Sequence, residues 1–204
     1  MERRSAFHAF SFSMNQAKRF DPAFVRKDRI YLTGFMGCGK STIGPILANT
    51  IGYDFVDVDR RIEQMEGKSI NEIFTEKGEK HFRELERTVL LEVCSLPRRV
   101  ISLGGGTMTV AENLEVILAT GLVVYLKITP EQLFHRLRHR SDRPLLRTED
   151  GGRLGDEDLR SRIQLLYEAR EPLYSRADIV IPTDGKKLGL TVDAIVKRLT
   201  GLII

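Results

Sequence analysis

One nine-residue stretch, Gly34-Phe35-Met36-Gly37-Cys38-Gly39-Lys40-Ser41-Thr42, limits the possible folds of this chain more than any other. It satisfies G-x-x-x-x-G-K-[ST] through Gly34, Gly39, Lys40 and Ser41. The apolar run Ile30-Tyr31-Leu32 precedes it and a helical pattern follows, which is the strand, loop, helix order such a motif needs. Glycines there let the backbone turn its N–H groups inward around phosphate oxygens, and the helix adds the positive end of its dipole. The lysine of such a loop bridges the β- and γ-phosphates, and the hydroxyl after it holds Mg2+. A chance match to the four fixed positions is on the order of one in a hundred at average composition. A glycine-rich helix start with no ligand would leave Lys40 unexplained. The stretch therefore implies a bound nucleotide such as ATP, held by Gly37, Cys38, Gly39, Lys40, Ser41 and Thr42, with Ser41 on the metal.

From Ile30 onward, short β-branched runs ("IYLT", "YDFV", "RVISL", "LVVYLKI", "DIVIP") alternate with amphipathic stretches. The latter fall near 41–50, 59–77, 79–95, 110–118, 130–140, 157–170 and 187–200. That rhythm predicts an α/β fold with five parallel strands covered by helices on both faces. The segment Arg143 to Asp158, "RPLLRTEDGGRLGDED", breaks the rhythm with glycines and acidic residues and reads as an exposed mobile loop. Residues 1–27 are basic and serine-bearing with few acidic residues, and they read as a disordered extension. A start at Met14 would explain them equally, and a transit peptide is the alternative.

Several function classes are excluded at this stage. The longest apolar runs, such as Gly121 to Leu126, are strand-length and far below the ~20 residues of a bilayer span. Two cysteines, Cys38 and Cys94, suggest neither a disulfide framework nor a zinc site, so a reducing, cytoplasmic setting is expected. The net charge of +4 is spread along the chain without interleaved aromatic residues, which argues against nucleic acid and for an anionic small molecule. A GTPase would need D-x-x-G and N-K-x-D segments, and neither string occurs.

Three further segments surround the acceptor question. Asp57-Val58-Asp59 follows "YDFV", and alternation along a strand end would turn both carboxylates toward the glycine loop. Asp59 as the N-cap of a helix beginning at Arg60 is the plainer reading. In "HFRELER", Arg83 and Glu86 stand three apart, as a surface ion pair would. The run Gly104-Gly105-Gly106 ends a buried strand, where three glycines are costly unless something approaches the backbone closely.

Taken in order, GFMGCGKS, DVD, FRELE, GGG, RPLL and REPLY resemble the shikimate kinase family over nearly all of Arg29 to Ile204. The resemblance implies a P-loop three-layer sandwich of the nucleoside monophosphate kinase type, with strand order 2-3-1-4-5, a lid near 141–158, and a domain over 28–204. It also implies transfer of the ATP γ-phosphate to the 3-hydroxyl of shikimate by a monomer that needs no nucleic acid or membrane partner. By similarity, Asp59 binds the shikimate hydroxyls and accepts the attacking proton, and Asp57 sits near Mg2+. Arg83 and Arg170 look like the clamp on the acceptor carboxylate, with Glu86 steadying Arg83 and the amides of Gly105 and Gly106 lining the pocket. Arg143 resembles the lid arginine on the γ-phosphate and Arg136 the one stacking on adenine. Two rivals stay open: a related P-loop kinase for gluconate or a nucleoside monophosphate, and a non-catalytic nucleotide-binding module.

Overall fold

The glycine loop sits where its motif requires, between strand β1 (Arg29–Thr33) and helix α1 (Lys40–Ile51). The computed structural model describes residues 28–139, 148, 152–185 and 187–203. The expectations for residues 1–27, for Arg143 and for most of the 141–158 segment lie outside these. Strands β2 (Asp54–Asp57), β3 (Arg99–Ser102), β4 (Leu122–Lys127) and β5 (Ile179–Pro182) join β1 in one sheet of order β2-β3-β1-β4-β5, with every pairing parallel. Ile30 stands level with Val100 on one side and Leu122 on the other, which makes β1 the centre of the sheet.

Burial shows why these runs become strands of a covered sheet. Successive residues of β1 and β4, which point to opposite faces, are all buried from Ile30 to Thr33 and from Leu122 to Leu126, so both faces carry a layer. Only the edge strand β5 alternates, with Ile179 and Ile181 inside and Val180 and Pro182 outside. The Tyr31 hydroxyl, fully buried at the sheet centre, is satisfied by Thr120 Oγ1 at 2.6 Å and Cys94 Sγ at 3.0 Å. No helix among the described residues is long and apolar enough to cross a membrane.

The helical layers are α1, α2 (Val58–Glu66), α3 (Ile70–Cys94), α4 (Ala111–Thr120), α5 (Pro130–Leu137), α6 (Asp156–Tyr174) and α7 (Leu188–Leu199). Sequence periodicity separates 59–77 from 79–95 at Gly78; the structure has a non-helical kink there and a further break upstream. Helix α2 stops at Gly67 in the left-handed conformation, and α3 starts from Ser69, whose side chain and Glu72 form a reciprocal capping box. Gly78, between the two stretches, is non-helical at φ 79°, ψ 172° and kinks α3 into two helical halves. Helix α2 also begins earlier than expected. Its cap is Asp57, whose carboxylate accepts from Arg60 N, and Asp59 lies in the first turn.

Candidate active site

At the C-terminal end of β1 the chain turns through Gly34, where a side chain has no room. A Cβ would lie 2.7 Å from the carbonyl oxygen of Leu126 on the neighbouring strand. The loop then passes Gly37 and Gly39, both at positive φ, and Gly39 serves as the left-handed N-cap of α1. Lys40 is buried to 8% exposure, and its ammonium donates to the carbonyls of Gly34 at 2.7 Å and Phe35 at 3.2 Å. Ser41 donates its hydroxyl proton to Asp57 Oδ2 at 2.7 Å, which brings the two residues assigned to the metal into one hydrogen bond. Arg136, from α5, donates to the carbonyls of Gly37 at 3.1 Å and Cys38 at 3.4 Å and so reaches the loop across 98 residues or more. A cavity of about 680 Å3 opens over this loop, with Lys40, Ser41, Thr42, Asp57, Asp59 and Arg136 in its wall.

Cys38 is arranged differently from its neighbours. Its side chain is 1% exposed and turned into the core beside Gly34. Its buried Sγ lies 3.9 Å from Lys40 Nζ.

A second cavity, of about 60 Å3, adjoins the first. Met36, Asp59, Ile70 and Gly105 line both, so Asp59 stands in the wall between a phosphate loop and a pocket that also contains Arg83 and Arg170. Strand alternation would have brought Asp59 here; the structure brings it by the first turn of α2 instead. The second pocket is built by partners far apart in sequence. Arg83 is gripped by Glu79 Oε1, at 3.2 Å from Nε and 2.9 Å from one Nη, and by Glu86 Oε2, at 2.8 Å from the other Nη. Glu86 is wholly buried, so the surface ion pair that its spacing also allowed is not what forms. Burial pushes its carboxyl above the ordinary range, against the opposing pull of the Thr107 hydroxyl and of Arg83.

The glycine run is a matter of space. A Cβ on Gly104 would fall 2.8 Å from Asp59 Oδ1 and 2.8 Å from Glu86 Oε1, and one on Gly106 would fall 2.8 Å from both Nη atoms of Arg83. Arg170 is 8% exposed and donates to the Gly105 carbonyl at 3.2 Å, and the Tyr174 hydroxyl donates to the same oxygen. Tyr174, Thr107 and Glu79 were missed from the sequence. Tyr174 was the findable one, because it closes the "REPLY" segment one helical turn after Arg170 on the same face.

The family model described as shikimate kinase matches residues 36–200. The chain belongs to the shikimate kinase family. A shikimate kinase from Prosthecochloris aestuarii is 49% identical over 170 residues, 83% of this chain and 86% of that protein. Among solved structures, the shikimate kinase of Bacteroides thetaiotaomicron is 37% identical with a TM-score of 0.76, over 84% of this chain and 98% of its own. A shikimate kinase from Acinetobacter baumannii, in complex with shikimate, is 34% identical with a TM-score of 0.78, over 88% of this chain and 96% of its own. Shikimate kinase function, as an ATP-dependent phosphotransferase of the shikimate pathway, is what family membership supports. The same likeness accounts for the sheet order, which the solved shikimate kinases share as a P-loop α/β fold.

Proposed function

We propose that residues 28–204 form the catalytic unit, with 1–27 appended to it, and that this unit moves the γ-phosphate of ATP to the 3-hydroxyl of shikimate. The observation that carries the residue assignment is the position of Asp59 in the wall common to the two cavities. A proton acceptor for the attacking hydroxyl has to stand where acceptor and phosphate meet, and Asp59 stands there. On this reading Gly37 to Thr42 cradle the phosphates, and Lys40 exchanges its two loop carbonyls for phosphate oxygens.

Ser41 and Asp57 offer hard oxygen donors 2.7 Å apart, a set that suits Mg2+ held partly by phosphates and water. Bound there, Mg2+ would supply positive charge to the phosphate oxygens during transfer. Arg83 and Arg170, from α3 and α6, converge on the Gly105–Gly106 backbone, where two guanidinium groups suit a single carboxylate. That demand for an acceptor bearing both a carboxylate and a hydroxyl favours shikimate over a nucleoside monophosphate. Arg136 contributes charge beside the phosphate loop, and Arg143 keeps the lid role that its resemblance implies. Phosphoryl transfer asks mostly for such positioning and charge neutralisation.

ADP formation measured with and without shikimate tests the acceptor. Release that rises on adding shikimate, and not on adding gluconate or a nucleoside monophosphate, is expected, and a rate indifferent to shikimate overturns the assignment. Lys40→Ala should lower kcat by about a hundred-fold or more while the melting curve stays cooperative, because it removes a charge from the transition state. Turnover within a few-fold of the parent would remove the phosphate role from Lys40.

A further inference from the structure

Beside the Gly104 backbone, three oxygens meet. A Cβ at that position would lie 2.8 Å from Asp59 Oδ1, 2.8 Å from Glu86 Oε1 and 3.1 Å from Thr107 Oγ1. Two of the three side chains are wholly buried, Glu86 and Thr107 both at 0% exposure. Thr107 opens the 3-10 turn Thr107–Thr109 directly after the glycine run, and its backbone N–H is bonded to Gly104 O at 3.2 Å. Its hydroxyl donates to Glu86 Oε1 at 2.6 Å, while the other oxygen of Glu86 receives Arg83 at 2.8 Å. The glycine turn and α3 are thus joined by a relay of Thr107, Glu86 and Arg83.

An arginine has five N–H donors in a fixed plane. Glu79 takes two of those on Arg83 and Glu86 takes one, which leaves one on each terminal nitrogen without a partner among the described residues. Both terminal nitrogens, each with an open N–H, stand 2.8 Å from the Cβ position of Gly106. Movement of the Glu86 carboxylate would shift the Nη that it holds, against the two bonds to Glu79. We propose that Thr107 is a positioning residue for acceptor use: its hydroxyl fixes the Glu86 carboxylate, and Glu86 helps to fix the direction in which Arg83 presents its open N–H groups. This rests on the reading of Arg83 as part of the carboxylate clamp.

The relay is also sensitive to pH. Burial raises the proton affinity of Glu86, the Thr107 hydroxyl and Arg83 oppose it, and Asp59 from α2 adds to it. From α6, Tyr174 also lies within reach of the Glu86 charge, next to Arg170 at the Gly105 carbonyl. Without the hydroxyl, the ionised carboxylate loses a donor and Glu86 protonates at a higher pH. A protonated Glu86 no longer holds Arg83 as an ion pair. Acceptor binding should then fail at a higher pH than in the parent, with ATP binding spared because the hydrogen bonds of Thr107 go to Glu86 and Gly104 and not to the phosphate loop.

Acceptor kinetics at saturating ATP, from about pH 5.5 to about pH 8, decide the matter in Thr107→Val, Thr107→Ser and Arg83→Lys. Valine keeps the shape and removes the hydroxyl. It should raise KM for shikimate about ten-fold, change kcat less, and move the acid limb of kcat/KM to higher pH. Serine should restore both KM and the limb. Should the valine protein fail to fold, Thr107→Ala is read in the same way. An unshifted limb with a parental KM in either hydroxyl-free variant overturns the proposal, as does a fall in kcat and melting temperature with KM unchanged. If Arg83→Lys raises KM and Thr107→Val does not, the relay fails and the clamp stands. If Arg83→Lys leaves KM unchanged, the clamp reading itself is wrong.

Discussion

Gly106 has φ −107°, a conformation that any residue adopts, so what excludes a side chain there is the fork of Arg83 and not the backbone. Gly106→Ala should therefore fold with little loss of stability and still fail at the acceptor. Its methyl would stand 2.8 Å from both terminal nitrogens of Arg83, in the space assigned to the carboxylate. KM for shikimate should rise roughly ten-fold or more, the size of losing a charged hydrogen bond, while ATP affinity holds. Shikimate kinetics beside calorimetric titration of ATP would show it, and equal loss of both ligands would point to collapse of the loop. Cys38 gives the complementary case. Its thiol is 1% exposed, so maleimide should modify the folded protein slowly, at a rate set by local opening, although its backbone lines the phosphate loop.

Helix α3 lines the acceptor pocket from both sides of one kink. Ile70 and Phe74 precede Gly78, and Phe82, Arg83 and Glu86 follow it. Gly78 lies at φ 79°, ψ 172°, a region that side chains with a Cβ avoid, yet a Cβ there would meet nothing within 4 Å. Gly78→Ala thus isolates backbone strain from crowding and should cost ~1–3 kcal/mol of stability, read as a lowered denaturant midpoint. Relief of the strain by straightening α3 would also swing Arg83 away from Gly106 and raise KM for shikimate more than for ATP. An unchanged midpoint would mean that the kink is not held by the conformation of Gly78. The break between α2 and α3 was legible, since Gly67 and the Ser69 to Glu72 capping box are both local signals, but a continuing apolar period obscured it. The kink was legible only as a break at Gly78 between two helical stretches. A lone glycine in a helical pattern gives no direction, and the hydrogen bond between Thr107 and Glu86 spans 21 residues that only the folded sheet brings together. The phosphate loop could be read outright because its chemistry is contained in nine consecutive residues.

Across the whole molecule, ionised groups divide into two kinds that respond to pH in opposite directions. Surface carboxylates such as Glu66, bonded to Lys77, and Glu171, bonded to Lys127 and Ser175, are held below the ordinary carboxylate range. Their contribution is present above the unfolded-state pKa and is lost as pH falls through their lowered values. They are only partly buried, so salt screens much of that contribution. Glu86 works the other way. Its pKa is raised in the fold by burial, so between the unfolded value and the raised one the native state binds more protons than the unfolded chain, and stability falls as pH rises through that window. Glu86→Gln removes this dependence without changing shape. The stability of the glutamine variant minus that of the parent should therefore climb as pH rises from below the ordinary carboxylate pKa to neutrality, measured as urea midpoints at matched ionic strength. At neutral pH the variant should also use shikimate poorly, because an amide cannot pair with Arg83 as a carboxylate does. A difference that instead shrinks with rising pH would mean that the Arg83 and Thr107 bonds outweigh the burial of Glu86. The charge would then be a source of stability, and not one that the fold retains, against its own stability, to aim an arginine at the acceptor.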